Sequence, residues 1–244
     1  MANNRTGTSP TKRTPCSPWY CTVPTLSKLP SAIKLTPCAQ QQQGLSWFMR
    51  TTLAWVSVTL NTKQYQSPDN PDKNIQHIDV DNIVTGGVQG TSELRITDWK
   101  KREHNDTIFG RVEGQSRFLR GSKDASGKVR PNVEICTNID DEKIGRFLRG
   151  EIKADGTEVE GFLVDPVGEG FGEGEDGLWL QSYVESLDSS WTAEQVWGFE
   201  TIDGERYHTR RVVCANNGEY VLARLVYTFV PPQPEQNDDD DIAY

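Results

Sequence analysis

The sequence predicts an all-β protein, an antiparallel meander of about ten strands closed into a barrel, with a short helical lid near its start. Three observations predict it. From residue 55 onward, apolar and polar residues alternate with period two in one segment after another, the pattern of half-buried strands. The connectors carry hairpin chemistry, with Gly86-Gly87, Asp203-Gly204 and Asn216-Asn217-Gly218 placed between alternating runs. No helical stretch separates successive strands, so the βαβ rhythm of a parallel sheet is absent. A meander of this length leaves two unpaired edges unless it closes.

Taken in order, residues 1–43 hold six of the thirteen prolines and three of the five cysteines and show neither helical nor strand period. Such a segment buries too little apolar area to offset its ordering entropy, so it reads as a disordered or mispredicted leader. It has no apolar core of a secretory signal. Its acid-free, Ser/Thr-containing composition fits an organelle transit peptide only loosely, and a cytoplasmic location is expected. Gly44 to Trp55 (GLSWFMRTTLAW) is apolar and acid-free and suits the helical lid that opens the barrel domain at 44–230. Strands follow at 55–65, with Val56, Val58 and Leu60 against Ser57, Thr59 and Asn61, and at 75–84, with Ile78 and Val80 against Asp79 and Asp81. In 88–98, Val88, Leu94 and Ile96 share one face and Gln89, Thr91, Glu93 and Arg95 the other. Two strands are expected at 107–112 and 115–119, bent at Gly114. Residues 121–145, with Pro131 and the acidic cluster Asp140, Asp141 and Glu142, read as an inserted loop holding one short strand. A hairpin across Asp155-Gly156 is expected in 146–164, then strands at 178–187, 194–202, 205–214 and 219–230. The tail at 231–244 begins with prolines and carries four successive aspartates, and is expected to stay solvated and disordered.

Composition narrows the function. The 244 residues carry a net charge of −9, against the concentrated basic surface of a nucleic-acid binder. The total hides an asymmetry, because seven basic residues precede the first acid, Asp69, and 19 basic against 35 acidic residues follow. No apolar run is long enough for a membrane-spanning helix. Cys16, Cys21, Cys38, Cys136 and Cys214 are odd in number and irregular in spacing, a poor disulfide framework that reads as free thiols. No Cys/His pair completes a zinc site with Cys16 and Cys21, and His77, His104 and His208 do not sit at ligand spacing, so no metal is expected. Gly172, Gly174 and Gly177 match a dinucleotide fingerprint in spacing, but Glu169, Glu173, Glu175 and Asp176 surround them and a strand follows where the fingerprint needs a helix. No serine lies in a nucleophile-elbow motif, and no cofactor is expected.

The informative residues are large amphipathic side chains on the later strands. Trp179, Tyr183, Trp197, Phe199, Tyr207 and Tyr227 are joined by Arg211 and Arg224. Alternation puts Tyr207, Thr209, Arg211 and Val213 on one face of their strand, and Val221, Ala223, Leu225, Tyr227 and Phe229 on one face of the next. A small barrel either fills its interior with such groups or keeps a cavity for one small ligand. The candidate ligand-binding set is Trp179, Tyr183, Trp197, Phe199, Tyr207, Arg211 and Tyr227, with Arg211 as the charge-assisted anchor for an acidic group. The alternative is that the arginines point outward and the aromatics pack a solid core.

The segments GLSWFMRTTLAW, VSVTLNTKQY, HIDVDNIVTGGVQGTSELRITDW, REHNDTIFGRVEGQSR, LQSYVESLDSSWTAEQVWGFE and RYHTRRVVCANNGEYVLARLVYTF resemble those of fungal lipocalin-like proteins, over roughly residues 44–230. The order of parts is similar to that of fatty-acid-binding proteins within the calycin group. Those end in an Arg-x-Tyr strand that grips the ligand carboxylate. Here Arg224-Leu225-Val226-Tyr227 is one residue longer, so Arg224 and Tyr227 fall on opposite faces. Their first strand is not legible before Gly44, and its absence would leave one seam of the barrel unpaired. The resemblance implies a non-enzymatic carrier for a small hydrophobic molecule, which can be acidic. The alternative is a lipocalin-like cyclase or isomerase of fungal secondary metabolism that holds its substrate near the reactive shape, with Tyr183, Tyr207 or Arg211 as polar donors. A packed structural or interaction barrel is a third reading. The expected partner is a small hydrophobic molecule, with neither nucleic acid nor a membrane span. The oligomeric state is open.

Overall fold

A computed structural model describes residues 19–22, 58–66, 70–72, 74–84, 88–106 and 109–230. The expected helical lid at 44–55, the Gly86-Gly87 turn, the rest of the leader and the acidic tail lie outside these residues.

Among the described residues, eleven strands and one helix are formed. In chain order they are β1 (Trp19–Thr22), β2 (Val58–Gln66), β3 (Gln76–Val84), β4 (Val88–Ile96), β5 (Arg102–Asp106), β6 (Gly110–Lys123), β7 (Val129–Pro131), α1 (Glu142–Leu148), β8 (Glu175–Ser186), β9 (Trp191–Ile202), β10 (Glu205–Asn216) and β11 (Glu219–Val230). All pairings are antiparallel, in the order β4-β3-β2-β1-β11-β10-β9-β8-β6-β5, with β7 on β6. The short β1 lies between β2 and β11, at a place where the sequence shows no strand.

The all-β expectation holds, and the closed barrel does not. No ladder joins β4 to β6 among the described residues. The two meet at an isolated bridge, Asp98–Arg117, and at a bond from Trp99 N to Ser116 O of 2.9 Å. The reason lies in the corner after β4. Trp99 adopts φ 57°, turning the chain out of line, and β5 then pairs with β6 at Gly110–Gly114. The result is an open, curled sheet, a trough with a seam.

Local departures from the sequence reading have local causes. Gly114 does not bend the chain. It pairs with Arg102 on one side and Val184 on the other, and this two-sided ladder makes one 14-residue strand of the two expected. The acidic cluster starts a helix, with Asp141 as N-cap accepting from Lys143 N at 2.8 Å and Glu142 in the first turn. Ile144, Phe147 and Leu148 bury the apolar side of α1. The hairpin expected in 146–164 shrinks to one bridge, Ile152–Glu158, across a tight turn. At opposite ends of β10, Asp203-Gly204 (φ 52° and 85°) and Asn217-Gly218 (φ 52° and 83°) are two-residue turns whose twist matches the flanking strands.

The sheet buries both faces. On the outer face, α1 and the segment around it cover Leu119, Phe162, Trp179, Val196 and Val213. The inner face joins Leu60, Ile78 and Val80 of β2 and β3 to Leu180, Trp197 and Tyr227 across the trough, with Trp191, Val212 and Cys214 further along. Gly198 sets the outer spacing, since a Cβ there would lie 2.5 Å from Trp179 Cδ1 and 2.7 Å from Phe162 Cδ1. Gly198→Ala is therefore expected to destabilise by about 1–3 kcal/mol through overpacking, read from urea unfolding. Wild-type stability in that variant would show slack in this packing. No helix among the described residues is long and apolar enough to cross a membrane.

Candidate functional site

The seven residues singled out from sequence divide between the two faces. Trp197, Phe199 and Tyr227 point into the trough. Trp179 belongs to the outer core, 2% exposed against Phe162. Tyr183 pairs with Glu194 on the outer face, and Tyr207 lies there too, its hydroxyl donating to Glu205 at 3.2 Å.

Arg211 is also on the outer face, fully buried. Its Nε and Nη2 donate to Glu200 at 2.8 and 3.1 Å, and its Nη1 donates to the carbonyls of Phe147 (3.1 Å) and Ile152 (2.7 Å). Arg224 Nη1 and Thr209 Oγ1 complete the shell of Glu200. Burial works to raise the Glu200 carboxyl, but the bonds and charges of Arg211 and Arg224 outweigh it and hold it below its usual value. Arg211 thus ties the end of α1 to the sheet, and the sheet itself stands between it and Tyr227.

The inner face carries charged residues that the sequence reading missed as a site. Register places them. Arg211 pairs with Arg224 and His208 with Tyr227, so His208 and Arg210 face the trough. Arg210 lies 3.6 Å from the centre of the Trp197 ring and 5.2 Å from that of Tyr227. The rings of Trp197, Phe199 and Tyr227 surround His208 at 6.1, 5.6 and 5.5 Å. Burial, reinforced by the charge of Arg210, pushes the imidazole down to about 3, so it is neutral at ordinary pH.

From the opposite wall come Glu93 and Arg95, which alternation alone assigns to a solvated face. Instead Leu94 is 60% exposed, and the ladder sets Glu93 opposite Val80 and Arg95 opposite Ile78, both core residues. A bulge causes the inversion. Between the pairs Ile83–Gln89 and Asp81–Ser92, β3 advances two residues and β4 three. The extra residue falls at Gly90 or Thr91, and one extra residue reverses every facing beyond it. Arg95 Nη2 is paired with Glu93, Nη1 donates to Ser182 Oγ at 2.5 Å, and the guanidinium lies 5.0 Å from the Trp197 ring centre. Burial works to raise Glu93, while Arg95 and Arg210 together hold it ionised. Trp197 Nε1 is fixed on Gln195 Oε1 at 2.9 Å.

The site therefore offers an aromatic wall and a held guanidinium. Arg95 Nε is buried with no hydrogen-bond partner among the described residues. Such a donor suits a carbonyl or anionic oxygen on an otherwise apolar molecule. Among the described residues, no group of three or more His, Cys, Asp or Glu is placed to hold a metal ion.

No family model matches the chain, and no solved structure matches it significantly. Among curated proteins it is similar to the pericyclase pydY of an Acremonium species, 25% identical over 193 residues, which cover 78% of this chain and 82% of the relative. It is also similar to a probable pericyclase, scpY of Mollisia scopiformis, 25% identical over 191 residues, or 78% and 80% of the two chains. The fungal resemblance thus has counterparts in these relatives, while its lipocalin-like part finds no matching family model.

Proposed function

We propose that the protein is a pericyclase of fungal secondary metabolism, which folds a small unsaturated molecule inside the trough and lowers the barrier to its ring closure or rearrangement. The observation that carries this reading is the inward-turned Glu93–Arg95 pair against Trp197. Similarity to pericyclases over 78% of the chain favours it over a carrier.

A pericyclic step moves its electrons around one ring of atoms, with no ionic intermediate. It needs no nucleophile, and the absence of a nucleophile motif in the sequence is consistent with that. It gains from two things. The first is confinement in the reactive conformation, which removes an entropy cost from the barrier. Trp197, Phe199, Tyr227 and Leu180 supply the walls. The second is polarisation of a conjugated carbonyl by a fixed donor in a dry site. Arg95 supplies that donor, Glu93 orients it, and the neutral His208 adds no competing charge.

Turnover tests the reading. The protein is incubated with linear polyenes bearing a conjugated carbonyl, and cyclised product is measured against the uncatalysed rate. Acceleration is expected, and Arg95→Met should reduce it by about a hundredfold, the usual scale for losing one transition-state donor. Binding with only the uncatalysed rate would return the protein to the carrier class.

A further inference from the structure

We infer that the unclosed seam between β4 and β6 is the entrance through which an apolar chain reaches the trough, and that Phe171 closes it. The inference rests on the proposed use of the trough.

A groove of about 440 Å³ lies where a ladder would otherwise close the sheet. One wall is Asn74 and Thr97, at the ends of β3 and β4, and the other is Arg117 to Arg120 of β6. This stretch of β6 lies between its pairings with β5, which end at Gly114, and with β7, which begin at Gly121. The groove leads inward through Phe118, which lines it and also packs against the inner cluster of Leu180, Trp197 and Tyr227.

Phe171 covers Phe118 edge-on, with ring centres 5.7 Å apart. It sits on a loop whose neighbours Gly170, Gly172 and Gly174 all have positive φ, at 92°, 74° and 143°. A side chain at any of them would be strained, so the loop's path depends on glycine. One residue clasps it. Arg120 donates to the carbonyls of Gly172 (2.7 Å), Gly174 (3.0 Å) and Glu175 (3.1 Å). All are bonds to backbone carbonyls from a half-buried side chain, strong enough to hold a closed position and weak enough to release it. Phe118, Leu119, Val133 and Phe171 give the passage an apolar strip within a lining that is otherwise polar, with Arg117 and Glu134 along it. An unsaturated hydrocarbon chain with a polar end fits that chemistry.

Stopped-flow fluorescence with cis-parinaric acid, a conjugated polyenoic acid that brightens on burial, tests the entrance separately from catalysis. Arg120→Ala and Phe171→Ala should each raise association and dissociation rates about tenfold while the dissociation constant changes less than about threefold, as expected when a barrier and not a contact is removed. Phe118→Trp should slow both. Unchanged rates in the two alanine variants, with binding intact, would place the entrance elsewhere and leave the pericyclase reading standing. Failure of the probe to bind wild type or any variant would overturn the use of the trough, and with it the entrance.

Discussion

Arg211→Ala is expected to destabilise the protein by about 3–5 kcal/mol without removing any group from the trough. The substitution leaves Glu200, whose side chain is 3% exposed, with Arg224 and Thr209 as partners, and it leaves the carbonyls of Phe147 and Ile152 without the guanidinium that bridges them. A buried carboxylate that loses its two-point partner and keeps only Arg224 as a counter-charge carries most of the cost, and the orphaned carbonyls add to it. The sign of the companion experiment separates these causes. Replacing Arg211 by Met and Glu200 by Leu together removes both charges, and should recover a good part of the loss, because replacing a buried pair by apolar groups is close to neutral. Urea unfolding of the three variants measures this. The ligand-anchor role expected from sequence makes the opposite forecast, with lost affinity at near-normal stability. A stable Arg211→Ala protein with weakened ligand binding would restore that role.

Particular residues show why the sequence carried some of the site and not the rest. The two-residue turn Asn217-Gly218 fixes the register of β10 against β11, so Arg211 opposite Arg224 and His208 opposite Tyr227 follow from turn chemistry alone. Tyr227 and Arg211 cannot share a face, and the inner position of Arg210 was readable from the same turn. The α1 signal was also present, in Asp141 followed by Ile144, Phe147 and Leu148 at helical spacing. With seven residues, that spacing is too short to stand out from a loop. Closure was not readable, because it depends on the corner at Trp99 and on where β5 pairs, and alternation is the same in an open sheet and a closed one.

Glu93 and Arg95 were hidden by a different effect. Their strand alternates cleanly, with Leu94 and Ile96 on the side that burial energetics would put inward. The one cue was a glycine inside a strand pattern, a sign of a bulge. The bulge sets local hydrophobic preference aside and turns the charged face inward. Such a conflict between pattern and structure is expected where function is selected over stability.

Deletion of Gly90 separates the bulge from the facing it sets. Without the extra residue, the ladder that runs Val84–Val88 and Ile83–Gln89 continues unbroken through Asp81–Ser92 and Val80–Glu93 to Ile78–Arg95, the pairs already present, so Glu93 and Arg95 stay inward and Leu94 stays exposed. The corner at Asp98 to Lys100 and the Thr97 bonds to Gln76 N and Asn74 O keep their places. The expected product is a protein about as stable as wild type that keeps its rate acceleration to within about threefold, because the polarising donor stays in the site. Arg95→Met in the same deletion variant removes that donor and should lower the acceleration by about a hundredfold. Full activity in that double variant would show that the inward arginine is not required. An inactive deletion variant with native stability would show that the bulge serves something other than the facing of Arg95.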